Sequence, residues 1–230
     1  SHPFLQKSRS DKKAVILITS NRGLAGGYNS NAVKLLTKDE RFTTENTVVY
    51  AVGTKGRDSV EREGYTIAGD YSEAINEPLY ADASEIGKEV LSKFTMGEIG
   101  EIYLIYTIFK NTMVQIPTMM KLLPINASDI TADAEDVEEN PIDRITLMNY
   151  EPAPEEALNA IIPKYVNSLI FGGLVESHAS ENGARMQAMD SATSNAEEMI
   201  SDLSLKYNRA RQASITQELT EIIAGASAIS

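Results

Sequence analysis

Arg22-Gly23-Leu24-Ala25-Gly26-Gly27 is the stretch whose residue types most invite an anion. A glycine-rich loop after a strand and before a helix can turn its backbone N–H groups toward a phosphate. This run lacks the G-x-G-x-x-G spacing of a dinucleotide fingerprint. It also lacks the Lys-Ser/Thr ending of a P-loop. Its glycines are therefore expected to permit a tight turn against neighbouring backbone. A second concentration is acidic: Asp129, Asp133, Glu135, Asp136, Glu138, Glu139 and Asp143 crowd residues 126–143. A calcium loop would need a turn glycine that this stretch does not have. With few large apolar groups, it reads as a solvated loop. His2 and His178 lie far apart and there is no cysteine, so neither a metal centre nor a disulfide framework is expected. No nucleophile–base pair stands out, and no cofactor is implied.

Composition narrows the partners. The 230 residues carry a formal net charge of −12. That argues against nucleic acid, whose binding needs a basic surface, and against adsorption on anionic lipid. The apolar runs fall short of the ~20 residues that span a bilayer, and no signal peptide is visible. A soluble chain is expected, reaching a membrane only through partners. The start at Ser1 without Met suggests a processed or engineered beginning.

The elements that must position these residues fall into two kinds, divided as 1–150 and 151–230. Ala14 to Thr19 is a β-branched apolar run suited to a strand buried on both faces. Ser20 to Gly27 is a loop, and Asn29 or Ser30 could cap a helix through Ala32 to Leu36. Strands are predicted at Thr47–Val52 and Tyr65–Ala68, around a short polar helix between Gly53 and Gly64. Pro78 suits the first turn of a helix whose stripe is Leu79, Ala83, Ile86, Val90, Leu91 and Phe94, ended by Gly97. Strands at Glu98–Phe109 and Met113–Leu123, linked by Lys110-Asn111-Thr112, predict an antiparallel hairpin. Strand–helix alternation predicts an α/β fold: a Rossmann-like, mostly parallel sheet made mixed by the hairpin.

Pro154-Glu155-Glu156 opens a long helix that runs to about Ala224, with Pro163 expected to break or kink it. Sixty helical residues would reach roughly 90 Å, more than one globular core can bury. Met186, Met189, Thr193, Ala196, Ile200, Leu203, Tyr207 and Ala210 recur at spacings 3, 4, 3, 4, 3, 4, 3. This is a heptad seam. It changes phase where the stripe restarts at Ile215, Leu219 and Ile222. The seam describes one arm of a coiled coil, and no other segment is long enough to be its partner. The partner is a missing segment or a second copy, so self-association through this face is expected. A nucleotide- or sugar-phosphate-binding enzyme with a dimerisation helix, and a coiled-coil adaptor with an α/β head, are the readings from other classes.

Three stretches carry a resemblance: Ile18-Thr19-Ser20-Asn21-Arg22-Gly23-Leu24-Ala25-Gly26-Gly27-Tyr28-Asn29, Ala179-Ser180-Glu181-Asn182-Gly183-Ala184-Arg185-Met186-Gln187-Ala188-Met189, and Tyr207-Asn208-Arg209-Ala210-Arg211-Gln212-Ala213-Ser214-Ile215-Thr216-Gln217-Glu218-Leu219. In type and order the chain resembles the γ subunit of F-type ATP synthases from about His2 onward. The resemblance implies an N-terminal helix, an α/β domain and a long C-terminal helix, the two helices winding as an antiparallel coiled coil. This sequence is expected to start just after the N-terminal helix. The implied role is that of a non-catalytic rotor shaft. It would stand inside the ring of α and β subunits and couple ion flow to conformational change at the catalytic β sites. Arg211, Gln212 and Thr216 match positions that in the family hydrogen-bond to a loop of β, work that suits a guanidinium fork. The plain alternative for them is a solvated helix face. For Arg185 and Met186 packing is the expected role. Tyr165 and Glu176 flank the foot of the helix, which in the family meets ε and the c-ring. Met186, Met189, Ile200, Leu203 and Tyr207 form the seam. The implied location is peripheral, on the cytoplasmic side of a bacterial cell membrane.

Overall fold

The computed structural model describes residue 4 and residues 10–125 and 154–229. The acidic stretch 126–143 and His2 lie outside them. The chain divides into two compact units, residues 1–187 and 188–230.

The first unit is built on a five-stranded sheet of order β3-β2-β1-β4-β5. The strands are β1 (Lys13–Ile18), β2 (Thr47–Val52), β3 (Thr66–Asp70), β4 (Glu101–Asn111) and β5 (Val114–Leu123). Strand β1 runs parallel to both β2 and β4, β2 runs parallel to β3, and β4 and β5 form the antiparallel hairpin. The helices are α1 (Tyr28–Thr37), α2 (Thr54–Arg62), α3 (Tyr80–Thr95) and α4 (Pro154–Ile229).

The apolar run of β1 has two faces, and each has its own core. Val15 and Leu17 pack with Ala32, Val33 and Leu36 of α1 and Val60 of α2. Ile16 and Ile18 pack with Ala83, Ile86 and Val90 of α3 and with Ile162, Val166, Ile170 and Leu174 of α4. Helices thus cover both faces, as parallel strands require.

Several local expectations shift. Helix α1 begins at Tyr28 behind Gly27 with no side-chain cap. Asn29 instead accepts a hydrogen bond from Ser20 N (2.9 Å), and Ser30 Oγ donates back to Gly27 O (3.1 Å). Pro78 precedes α3 rather than entering its first turn. There Asp82 accepts from the Leu79 N–H (3.1 Å) and satisfies one donor of the helix start. Strand β4 starts at Glu101 because Gly97 takes a left-handed conformation (φ 75) and Gly100 passes hard against Ser10. The hairpin turn is Thr112-Met113. Asn111 is the last residue of its strand, and its Oδ1 accepts from Met113 N (2.9 Å) and Val114 N (2.8 Å).

Pro163 does not break α4. A helix-interior proline costs ~3 kcal/mol or more through its lost N–H and its ring clash. On either side of it, Ile162, Val166, Ile170 and Leu174 are buried in the core, each contributing about 1.5–3 kcal/mol. Tertiary burial exceeds the local penalty. By length and composition α4 also meets the measure of a membrane span, which the sequence reading did not anticipate. Ile162, Val166, Ile170 and Leu174 are nonetheless in protein core. In the second unit residues 188–229 are helical, and residues 189–228 are exposed.

Candidate functional site

The glycine loop is held by its own polar residues. Asn21 Oδ1 accepts from Thr54 N (3.0 Å), and Asn21 Nδ2 donates to Ser72 O (2.7 Å). Lys55 N donates to Ser20 O (3.0 Å). Leu24 (φ 63) and Gly26 (φ 55) supply the left-handed turns, but the expected approach to neighbouring backbone is not seen: a Cβ on Gly23 or Gly26 would meet nothing within 4 Å, and one on Gly27 only the Asn31 side chain. The sequence signal for these ties was there in the asparagines, which bond readily to backbone in loops.

Beside this loop lies the foot of α4. The strand order reverses between β1 and β4, and the foot sits at the C-terminal ends of these two strands. A Cβ on Gly173 would stand 3.1 Å from Leu104 and 3.4 Å from Ile18. One turn further, Ser177 Oγ accepts from Thr107 N (3.0 Å), and Ser180 Oγ donates to Thr107 O (3.0 Å). Glu176 Oε2 accepts from Phe109 N (2.7 Å). These backbone groups lie past the point where β1 can serve β4, since the β1–β4 ladder ends at the pair Leu17 and Ile105. On the other side of β4, Thr107 faces Pro117 of β5 in a non-hydrogen-bonded pair, so its N–H and C=O both point away from β5. Thr107 is 1% exposed. Covered by α4 but without the two serine hydroxyls, its N–H and C=O would be buried and unpaired, at about 1–3 kcal/mol each. The helix takes over work that the sheet leaves undone.

The same stretch reaches the glycine loop. Tyr28 Oη donates to Ser177 O (3.1 Å), and burial pushes this hydroxyl's pKa well above its usual value. Ala25, Tyr28 and Ala184 form a small apolar cluster. Arg185 pairs with Glu181 at 2.8 Å and touches Gly23 O at 3.5 Å. His178 bonds Ile75 O at 2.9 Å through Nδ1. The first two resemblance segments are therefore neighbours in space. Sequence reading passed over Ser177 and gave Ser180, though it lies in the second resemblance segment, no role of its own. The available signal was a stripe of small residues, Gly173, Ser177, Ser180 and Ala184 at spacings 4, 3, 4, which lets a helix approach a sheet closely.

Of the residues picked from sequence, Glu176 is engaged with Phe109, while Tyr165 is exposed. Arg185 is tied to Glu181, and Met186 is exposed rather than packed among the described residues. Met189, Ile200, Leu203 and Tyr207 are exposed along the helix, as are Ile215, Leu219 and Ile222, with Tyr207 68% exposed. Arg211, Gln212 and Thr216 are exposed too. The side chains of Arg211 and Gln212 have no partner among the described residues. No group of three potential metal ligands occurs among the described residues.

Comparison with known proteins places these features. The family model described as ATP synthase matches residues 1–229. The ATP synthase gamma chain of Lachnoclostridium phytofermentans is 65% identical over 229 residues, covering 100% of this chain and 78% of that one. The gamma chain of Acetobacterium woodii, described as sodium ion specific, is 44% identical over 236 residues, covering 98% and 78%. Among solved structures, one chain of the Euglena gracilis mitochondrial ATP synthase in rotational state 3 is similar with TM-score 0.68 and 22% identity, covering 97% of this chain and 74% of that one. A chain of the Tetrahymena thermophila central stalk and c-ring is similar with TM-score 0.59 and 23% identity, covering 82% and 79%. At these identities the structures speak to fold alone.

Proposed function

The chain belongs to the γ-chain family of F-type ATP synthases, and from that premise we propose how its residues serve the central rotor shaft. The observation that carries the reading is 65% identity to a gamma chain along the whole of this sequence. The shaft couples ion-driven rotation to conformational change at the catalytic β subunits. It does so by presenting a different face to each subunit, so that differential contact shifts each site's equilibrium. The chain itself performs no covalent chemistry in this reading. Its partners are the α and β subunits of the head, ε and the c-ring. Its place is peripheral on the cytoplasmic side of the membrane, which it meets only through those partners.

We divide the work between an α/β body, residues 1–150, and a helical arm, residues 151–230. Arg211, Gln212 and Thr216 grip a loop of β. Arg211 and Gln212 are exposed and have no side-chain partner among the described residues, so a carboxylate or carbonyl can take their donors. The exposed seam through Met186, Met189, Ile200, Leu203 and Tyr207 receives an antiparallel helix. Tyr165, exposed at the foot, is offered to ε or the c-ring. Glu176 flanks the same foot with its carboxylate already bonded to β4.

The test is reconstitution of α and β with the complete γ chain, wild type or carrying R211A and Q212A together, followed by ATP hydrolysis. A large loss of turnover with assembly intact supports the grip on β. Unchanged turnover removes these residues from the coupling surface and leaves the family assignment standing.

A further inference from the structure

A shaft must resist twisting where its helix joins its body, and apolar contacts alone do this poorly. The cluster of Ile162, Val166, Ile170 and Leu174 against the sheet resists separation, but hydrophobic contact is non-directional. Resistance to rotation of the helix about its own axis needs bonds with geometry. On the β4 side, those bonds are the three between Glu176, Ser177 and Ser180 and the backbone of Thr107 and Phe109. At 3.6 residues per turn these three positions fall within a ~100° arc, so all face β4 together. Rotating α4 by one residue would remove all three at once. It would leave the backbone of Thr107, 1% exposed, without partners. The contact from Glu176 to Phe109 N, at 2.7 Å, carries a carboxylate's strength.

We propose that Glu176, Ser177 and Ser180 are positioning residues that lock the rotational setting of α4 on the sheet and so carry torque between body and shaft. The proposal rests on the rotor reading. The lock is two-sided. Ser180 donates to the carbonyl of Thr107 while Ser177 accepts from its N–H, so sliding along the strand in either direction breaks a bond. Tyr28, donating to the carbonyl of Ser177, braces the helix from the side of the glycine loop.

The experiment uses assembled F1 complexes containing the complete γ chain, with a rod fixed to the α/β body. Angular fluctuation of the rod is recorded while the complex is stalled with a nonhydrolysable ATP analogue, and rotation is then recorded with ATP. With both serine bonds to Thr107 gone in S177A/S180A, the angular variance is expected to rise roughly twofold or more. ATP hydrolysis without load should be maintained. E176A should widen the fluctuation, and E176Q, which keeps an acceptor oxygen, should restore it. Wild-type variance in an assembled S177A/S180A complex would overturn the proposal, even if its melting temperature falls. If that double variant fails to assemble, the E176 pair decides: equal variance for E176A and E176Q overturns the lock, and a wide E176A beside a narrow E176Q supports it. A wild-type complex that hydrolyses ATP without turning the rod would overturn the rotor reading itself, a result distinct from failure of the lock alone.

Discussion

Tyr28 and Ser177 are 149 positions apart in sequence, yet the tyrosine hydroxyl donates to the serine carbonyl at 3.1 Å. The bond joins the first helix after the glycine loop to the foot of the long helix. Tyr28→Phe removes the donor and keeps the ring in its cluster with Ala25 and Ala184. The expected loss of stability is about 0.5–1.5 kcal/mol, read as a lowered urea midpoint with an unchanged slope. A shift as large as that of a core truncation would show that the ring, not the hydroxyl, had been disturbed.

Helices α3 and α4 approach closely at Gly87. A Cβ there would meet Asn167 Oδ1 at 1.9 Å. Gly87→Ala is therefore expected to destabilise by about 1–3 kcal/mol through overpacking, although alanine has the better helix propensity. Adding Asn167→Ala should recover much of that loss, since it removes the obstructing atom. Equal melting temperatures for wild type and G87A would refute the close approach.

Thr107 offers an opposite case. Its backbone is bonded twice to α4, but its own Oγ1 is buried without a hydrogen-bond partner. Valine has nearly the same shape and no hydroxyl to desolvate. Thr107→Val should be neutral or stabilising, by up to ~1 kcal/mol. A clear fall in melting temperature would mean that the hydroxyl is satisfied after all.

Acid should weaken the fold partly through Glu101. Burial pushes this carboxyl's pKa up, but hydrogen bonds from Lys121 (2.7 Å) and Tyr103 outweigh it and hold the value below the usual 4.5. In the unfolded chain the group takes its proton first as pH falls. Its contribution is thus complete above about 4.5 and disappears as pH drops through the lower folded value. Glu101→Gln should lower stability near neutral pH. It should also flatten the decline of melting temperature between about pH 5 and pH 3. An unchanged decline would assign the acid sensitivity to other carboxylates, such as Asp39 and Asp70, whose pKa values are lowered by bonds from Arg41 and from Ser72.

Much of the fold is legible because its patterns are local. The β-branched run of β1 announces a doubly buried strand, and the short polar link after Lys110 announces the hairpin. The seam from Met186 to Ala210 is likewise a matter of spacing, and its residues from Met186 to Tyr207 stand exposed on the helix. Local reasoning fails where a distant partner decides. Pro163 is tolerated because residues far away in sequence bury the turns around it. Asn29 resembles a helix cap but is recruited by Ser20 instead. Ser177 and Ser180 are the clearest case. Nothing in a serine's neighbours foretells that a strand's backbone will need its hydroxyl, because that need arises only where β1 stops short of β4.

The position of the helix foot also bears on pharmacology. In open α/β sheets the crevice at a reversal of strand order is where small molecules bind. Here the crevice holds Gly173 against Ile18 and Leu104, with Ser177 beyond. In that sense α4 is a ligand covalently linked to its own receptor. Linkage of this kind gives effective concentrations of ~1 mM or more, always present and never diluted. A soluble inhibitor competing for the crevice would face that occupant at every moment. Compounds that seek this protein would do better against open surfaces, such as the exposed face of α4 around Arg211 and Gln212 that we propose receives β.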